Sequence, residues 1–410
     1  MNQPFANLLE YIEAQPVINT HSHQDLSLAR GGLDLEKAFR NSYVAWCGVP
    51  WDATPLSRAR LLQKIRFNSY FVWLERALQA LFGFDEPLSA ENWESVSDQM
   101  RAAHEQDSYW VNLLRQRCRY EKIVVDAYWD PGSDNGLPGL FTPTFRVNSF
   151  FFGYSPAVHD HDGNNALHLY RAGQAVDSLD EYLAFLRDLV AAKRRQGCVA
   201  LKLPIAYDRG LDFDPVPQAS AAAAFQRLKT TVSPADVKAF QDFLAFYVCA
   251  LARELDLPIQ IHTGMGKLER SNALWLKPLI EANPEVRFVL LHCSSPWMED
   301  TLALVRSFPN LYPDLSWLPQ LTSEGARRML HDLIEAGAAH KAGWGCDTWT
   351  PEESYGSLLA FRQVLATTLA EKVESGYLSM AAARDIARQI LSENAREIYR
   401  LGSAQPESGN

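Results

Sequence analysis

The chain has 410 residues, of which 47% are hydrophobic and 21% charged, the composition of a globular protein able to bury a large core. A formal net charge of −10 offers no basic surface and speaks against nucleic acid and anionic membrane as partners, leaving small molecules as the expected class. No apolar run reaches membrane-spanning length, and Met1 to Glu10 has neither a basic n-region nor an apolar h-region, so a cytoplasmic protein is expected.

In chain order, the first informative stretch is Val17-Ile18-Asn19-Thr20-His21-Ser22-His23. On a β-strand, residues two apart face the same way, so His21 and His23 share one face, as half of a metal site or as the end of a solvated strand. Leu33 to Tyr120 then carries aromatic and aliphatic residues at helical spacing, for example Phe71, Trp73, Leu74, Leu78, Leu81 and Phe82. A mostly helical insertion over 33–120 is predicted.

From Lys122 onward short apolar runs alternate with amphipathic stretches. The runs are Ile123 to Ala127, Thr144 to Phe150, Val199 to Leu203, Ile259 to His262, Phe288 to His292, Leu311 to Leu315 and Ala342 to Cys346. Continuous apolar runs suit parallel strands covered on both faces. Helices are predicted over Leu179 to Gln196, Pro234 to Glu254, Leu274 to Ala282, Met298 to Phe308, Glu324 to Ala336, Pro351 to Ser375 and Ser379 to Leu401. With the opening strand this gives an α/β chain folded as a (β/α)8 TIM barrel over 1–32 and 121–401, with the insertion after strand one and a disordered tail at 402–410.

A barrel gathers the C-terminal ends of its strands at one mouth. Here those ends carry His21, His23, Asp126, Arg146, Lys202, His262, His292, Asp314 and Asp347. A strand-end aspartate is also a frequent cap or arginine partner, so Asp126 and Asp314 keep both readings, and Asp126 could orient a ligand. Tyr43, Trp46 and Trp129 are candidates for the pocket wall. Six scattered cysteines form no close pairs, so neither a zinc ribbon nor a disulfide framework is expected. Cys293 and Cys346 adjoin candidate ligands, yet strand alternation keeps Cys346 off the face of Asp347, and both are left out of the site.

The His21-Ser22-His23, His262, His292 and Asp347 set resembles the amidohydrolase superfamily. Phe288 to His292, Phe308 to Ser316 and Gly343 to Asp347 resemble its amidohydrolase-2 branch. The helical insertion, Thr142-Pro-Thr-Phe-Arg146, Ser354-Tyr355 and Phe361-Arg362 are similar to uronate isomerases. That group has Asp-Ser-Arg at strand eight, whereas this chain has Asp347-Thr348-Trp349.

The resemblance implies a divalent cation, zinc foremost, held by His21, His23, His262 and Asp347. One ion is favoured, and a second, bound by His262 and His292, follows if Lys202 is carboxylated; a cationic Lys202 would instead bind a substrate carboxylate. It implies a metal-dependent hydrolase of a small carboxylate-bearing amide, ester or lactone, with Asp347 as proton shuttle, His292 and Lys202 as further catalytic groups and Arg146 as the substrate clamp. Aldose–ketose isomerisation of a uronate and non-oxidative decarboxylation are the alternatives. The sequence leaves a homo-oligomer open.

Overall fold

A computed structural model describes residues 3–30 and 32–402, so the predicted tail lies, from residue 403 onward, outside the described residues. Seven strands form one parallel sheet in sequence order: β1 (Val17–Ser22), β2 (Tyr120–Val125), β3 (Phe141–Arg146), β4 (Ala200–Leu203), β5 (Ile259–His262), β6 (Phe288–Leu291) and β7 (Leu311–Asp314). Every residue of β1, β3, β4, β5 and β6 is buried, as parallel strands covered on both sides require.

The stretch Ala342 to Cys346, predicted as a strand, is not a regular one. A single parallel bridge links Gly343 to Asp314. Even so, the segment hydrogen-bonds to both edges of the sheet. On the β7 side Gly343 N donates to Pro313 O at 3.0 Å and Leu315 N to Gly343 O at 2.9 Å; on the β1 side Thr20 N donates to Trp344 O and Asp347 N to His21 O, at 3.0 and 2.9 Å. The segment therefore joins the first and last strands of an α/β barrel. Its irregularity has two local causes: a Cβ on Gly345 would stand 2.4 Å from His21 N, and Asp347 is left-handed at φ 56°.

Two strands sit earlier in the chain than predicted. The apolar run after Arg146 is a buried 3-10 turn, Asn148–Phe152, since an apolar run alone does not separate a strand from other buried backbone. Asp126 and Arg146 nevertheless fall at the ends of β2 and β3. The last predicted helix is divided into Met380–Arg388 and Asn394–Tyr399 by a π-turn at Gln389–Glu393.

Among the described residues between β1 and β2 the regular elements are all helical, including Pro55–Ile65, Ser69–Phe82 and Trp93–His104. Ser69–Phe82 packs on the long helix Pro351–Glu374. Gly356 permits the close crossing, because a Cβ there would lie 2.8 Å from Trp73 O. The long helix starts with a capping box, in which the Thr350 side chain accepts from Glu353 N and the Glu353 carboxylate accepts from Thr350 N. Tyr70 OH donates to the other oxygen of Glu353, tying the helix Ser69–Phe82 to the segment that follows Asp347.

Candidate active site

Asp347 is the hub of the buried polar group at the strand ends. Its Oδ1 lies 3.2 Å from His21 Nε2 and 3.1 Å from His23 Nε2, and its Oδ2 accepts from Tyr43 OH at 3.1 Å. His292 Nδ1 stands 3.7 Å from the same Oδ2.

Hydrogen bonding fixes which nitrogens carry hydrogens. His23 Nδ1 lies 2.8 Å from the backbone oxygen of Asp126, an acceptor, so in the neutral ring the hydrogen sits on Nδ1 and Nε2 presents a lone pair to Asp347 Oδ1. His21 Nε2 receives Lys202 Nζ at 3.1 Å, which likewise leaves no hydrogen for the carboxylate, while its buried Nδ1 has no partner. Two lone pairs thus face one carboxylate oxygen. A cation relieves that repulsion, and the donor set of imidazoles and carboxylate is one that zinc and related ions accept. His21, His23 and Asp126 offer ligand atoms all within 4.8 Å of one another.

A second meeting of this kind lies deeper. His292 Nδ1 is 2.9 Å from Ser316 O and His262 Nε2 is 2.7 Å from Met265 O, so the hydrogens point outward and His292 Nε2 faces His262 Nδ1 at 3.0 Å. Burial keeps these rings neutral: it lowers the pKa of His292 to about 4 and that of His262 well below its ordinary value. Burial and the Lys202 cation take His21 to about 3. Lys202 is itself brought down to about 8 by burial, against the pull of Asp126. The backbone is strained where it presents these groups, with His292, Cys293 and Ser294 at φ 64°, 46° and 56°.

The predicted residues are therefore largely brought together. His21, His23, Lys202, His292 and Asp347 form one contact group, and His262 joins it through His292. Asp126 is both the arginine partner and the group that orients His23. Asp314 accepts from Thr20 Oγ1 at 2.6 Å and from Ser316 N at 2.8 Å, a structural role. Cys346 Sγ is held by Asn19, Ser22 and Thr348 below the site.

Arg146 reaches the mouth already engaged, its Nη1 3.2 Å from Asp126 Oδ2 and its Nη2 2.8 Å from Asp162 Oδ2. A substrate carboxylate binding there would have to take the place of Asp162. A cavity of about 190 Å³ opens beside these groups, walled by Tyr43, Trp46, Tyr128, Tyr207 and Trp349 with His23 and Arg146 exposed to it. Trp349 stacks on His23 with centroids 5.4 Å apart. Trp129, considered for the wall, packs instead against the outer side of Tyr128. Tyr128, His161, Asp162 and Tyr207 were not singled out from the sequence. The available signal was their position, in or beside the Gly-, Pro- and Asp-rich loops that follow β2, β3 and β4.

Comparison with known proteins bears on the family and the fold. The amidohydrolase family model Amidohydro_2 matches residues 219–401. A uronate isomerase of Nostoc punctiforme is 22% identical, with 95% of this chain and 93% of that protein covered. Together these matches support a place in the amidohydrolase superfamily with uronate isomerase-like features. Protein fluG of Emericella nidulans is 28% identical over 51% of this chain, a match that spans only 26% of that protein. Among solved structures, glucuronate isomerase of Caulobacter crescentus superposes with a TM-score of 0.77 at 18% identity, covering 98% of this chain and 95% of that one. Uronate isomerase of Thermotoga maritima gives 0.77 at 17% identity, with 97% and 98% covered. At such identities these superpositions establish a shared fold.

Proposed function

We propose that this superfamily member is a metal-dependent hydrolase of a small carboxylate-bearing amide, ester or lactone. One zinc ion is held by His21, His23 and Asp347, with His262 or Asp126 as the further donor. The observation that carries the metal reading is the pair of unprotonated imidazole nitrogens aimed at Asp347 Oδ1, with the His23 tautomer locked by Asp126 O. A cation there supplies Lewis acidity, polarising a carbonyl and making water a competent nucleophile near neutral pH.

The chain's own residues do the rest. Asp347 accepts the proton of the attacking water and passes it on, its free oxygen oriented by the Tyr43 hydroxyl. Tyr43 stays protonated because burial, then the Asp347 charge, raises its pKa well above the ordinary value. Lys202 and His292 flank the reacting carbonyl, and the aromatic wall excludes water. Arg146 takes the substrate carboxylate in exchange for Asp162.

Trp349 favours hydrolysis over isomerisation, since an indole stands where the isomerase group has its strand-eight arginine. The likeness to uronate isomerases along the whole chain favours the second reading, ketose formation from a uronate. Zinc-loaded protein assayed on monoesters and lactones of dicarboxylic acids, on glucuronate and galacturonate for ketose, and for carbon dioxide release from aromatic acids separates the readings. Ketose formation without hydrolysis would overturn the first.

A further inference from the structure

His161 lies outside the group around Asp347 yet borders the same cavity. It sits in the loop between β3 and the helix Ala166–Arg171, and Asp208 lies just after the 3-10 turn Ile205–Tyr207 that follows β4. Asp208 grips it twice: Oδ1 accepts from the His161 backbone N–H at 2.7 Å, and Oδ2 lies 2.8 Å from the ring Nδ1. Asn148 Nδ2 donates to the same Oδ2 at 2.9 Å and holds that carboxylate in place. The carboxylate keeps the hydrogen on Nδ1 and turns Nε2 toward Arg146 and Asp162, at the cavity wall.

Around Nε2 the surroundings suit either protonation state. Arg146 Nη2, a donor, is 3.3 Å away and serves the unprotonated nitrogen. Asp162 Oδ2, 3.4 Å away, brings a negative charge that suits the protonated one; this buried oxygen forms no aligned hydrogen bond and lies 2.8 Å from Arg146 Nη2. The charged and titratable groups facing the ring are therefore Asp162 from its own loop, Arg146 from β3, and Asp208 and Tyr207 from the segment after β4, the last with ring centroids 4.8 Å apart. The His161 side chain is 24% exposed and that of Asp208 only 8%, so the ring meets the cavity while its orienting carboxylate does not.

We infer that His161, oriented by Asp208, is a second acid–base residue of this site, the one that protonates the leaving group. The inference rests on the hydrolytic reading above. Water forms the new C–O bond and gives its proton to Asp347; the bond from the carbonyl carbon to the leaving oxygen or nitrogen breaks; that atom takes the Nε2 proton of His161. Solvent then reprotonates His161 and accepts the proton from Asp347, so the cycle balances. As Nε2 loses its proton it gains the Arg146 donor, which keeps both states partnered.

The test uses zinc-loaded full-length protein with monomethyl succinate and mono-4-nitrophenyl succinate, whose leaving groups do and do not need a proton. His161→Gln should lose about 100-fold on the methyl ester and less than about 10-fold on the nitrophenyl ester, with Asp208→Asn changing in the same direction. Equal losses on both esters would mark His161 as merely structural and overturn the inference. A wild type that hydrolyses neither ester defeats the hydrolytic reading instead. The dyad is then judged by nitrogen-15 NMR of histidine-labelled protein, in which the neutral His161 ring should carry its hydrogen on Nδ1. A neutral ring that holds its hydrogen on Nε2 refutes the dyad.

Discussion

Asp347 is caught between groups that cannot all be satisfied by hydrogens. Its Oδ2 has the Tyr43 hydroxyl, whereas its Oδ1 faces two imidazole nitrogens whose own hydrogens are committed elsewhere or excluded by Lys202. Asp347→Asn keeps the volume and removes both the charge and the proton-accepting ability. It should lower turnover of a hydrolysed ester by at least about 100-fold while the fold, followed by circular dichroism, is retained. Full turnover in a variant that still holds metal would show that another residue moves the proton. At this scale the sequence was informative wherever side chains lie at strand ends, because position in the strand fixes direction. His21, Lys202, His292 and Asp347 were all readable in that way. Asp126 was readable as an arginine partner or a group that orients a ligand, and it does both, but it holds His23 through a backbone oxygen that no residue identity encodes.

The irregular eighth segment and the helix after it make separate demands. A methyl group on Gly345 would collide with the nitrogen and oxygen of His21, at 2.4 and 2.6 Å. Gly345→Ala should therefore push β1 away from Asp347, destabilising the protein by about 1–3 kcal/mol and weakening zinc retention measured by competition with a chelator. Unchanged retention would mean that the contact relaxes without moving His21.

Glu353 offers a pH test that does not touch the metal-type residues. Burial raises its carboxyl from 4.5 to about 7, in spite of the Tyr70 and Thr350 hydrogen bonds that favour ionisation. Between those values the folded chain holds a proton that the unfolded chain has released. This contribution to stability is thus greatest below about pH 4.5 and is lost as the pH rises through about 7. Glu353→Gln should flatten the fall in Tm between pH 5 and 8; an unchanged slope assigns it to other groups. The capping box was legible only as a pattern, Thr350-Pro351-Glu352-Glu353, and its burial under Tyr70 was not. The same limit explains the displaced strands, since Phe150 to Phe152 satisfy a buried turn as well as they would a strand.

For the whole molecule, a cation that binds the folded chain alone adds stability by mass action, about 2.7 kcal/mol at a hundredfold excess over Kd. Zinc added to chelator-treated protein should raise Tm, and the rise should vanish in His21→Ala/His23→Ala protein. A rise that survives in the double variant places the ion elsewhere. The barrel plan could be read from the alternation of apolar runs and helices, because covered parallel strands leave that trace. The closing run Ala342 to Cys346 left that trace too; its irregular backbone did not, because that owes its form to glycines and backbone bonds rather than to an apolar pattern.

That joining segment also sets the order in which a newly made chain can acquire its site. His21 and His23 leave the ribosome well before Asp347, which meets both of them. Until that segment is made the two imidazoles have no carboxylate from the far end of the barrel, and β1 lacks the backbone partners on 344–348 that fix its outer edge. A chain interrupted before residue 343 can bury many of the same strands but has no Asp347. Synthesis through the eighth segment, rather than the folding of the first strands, is the step that makes the full donor set.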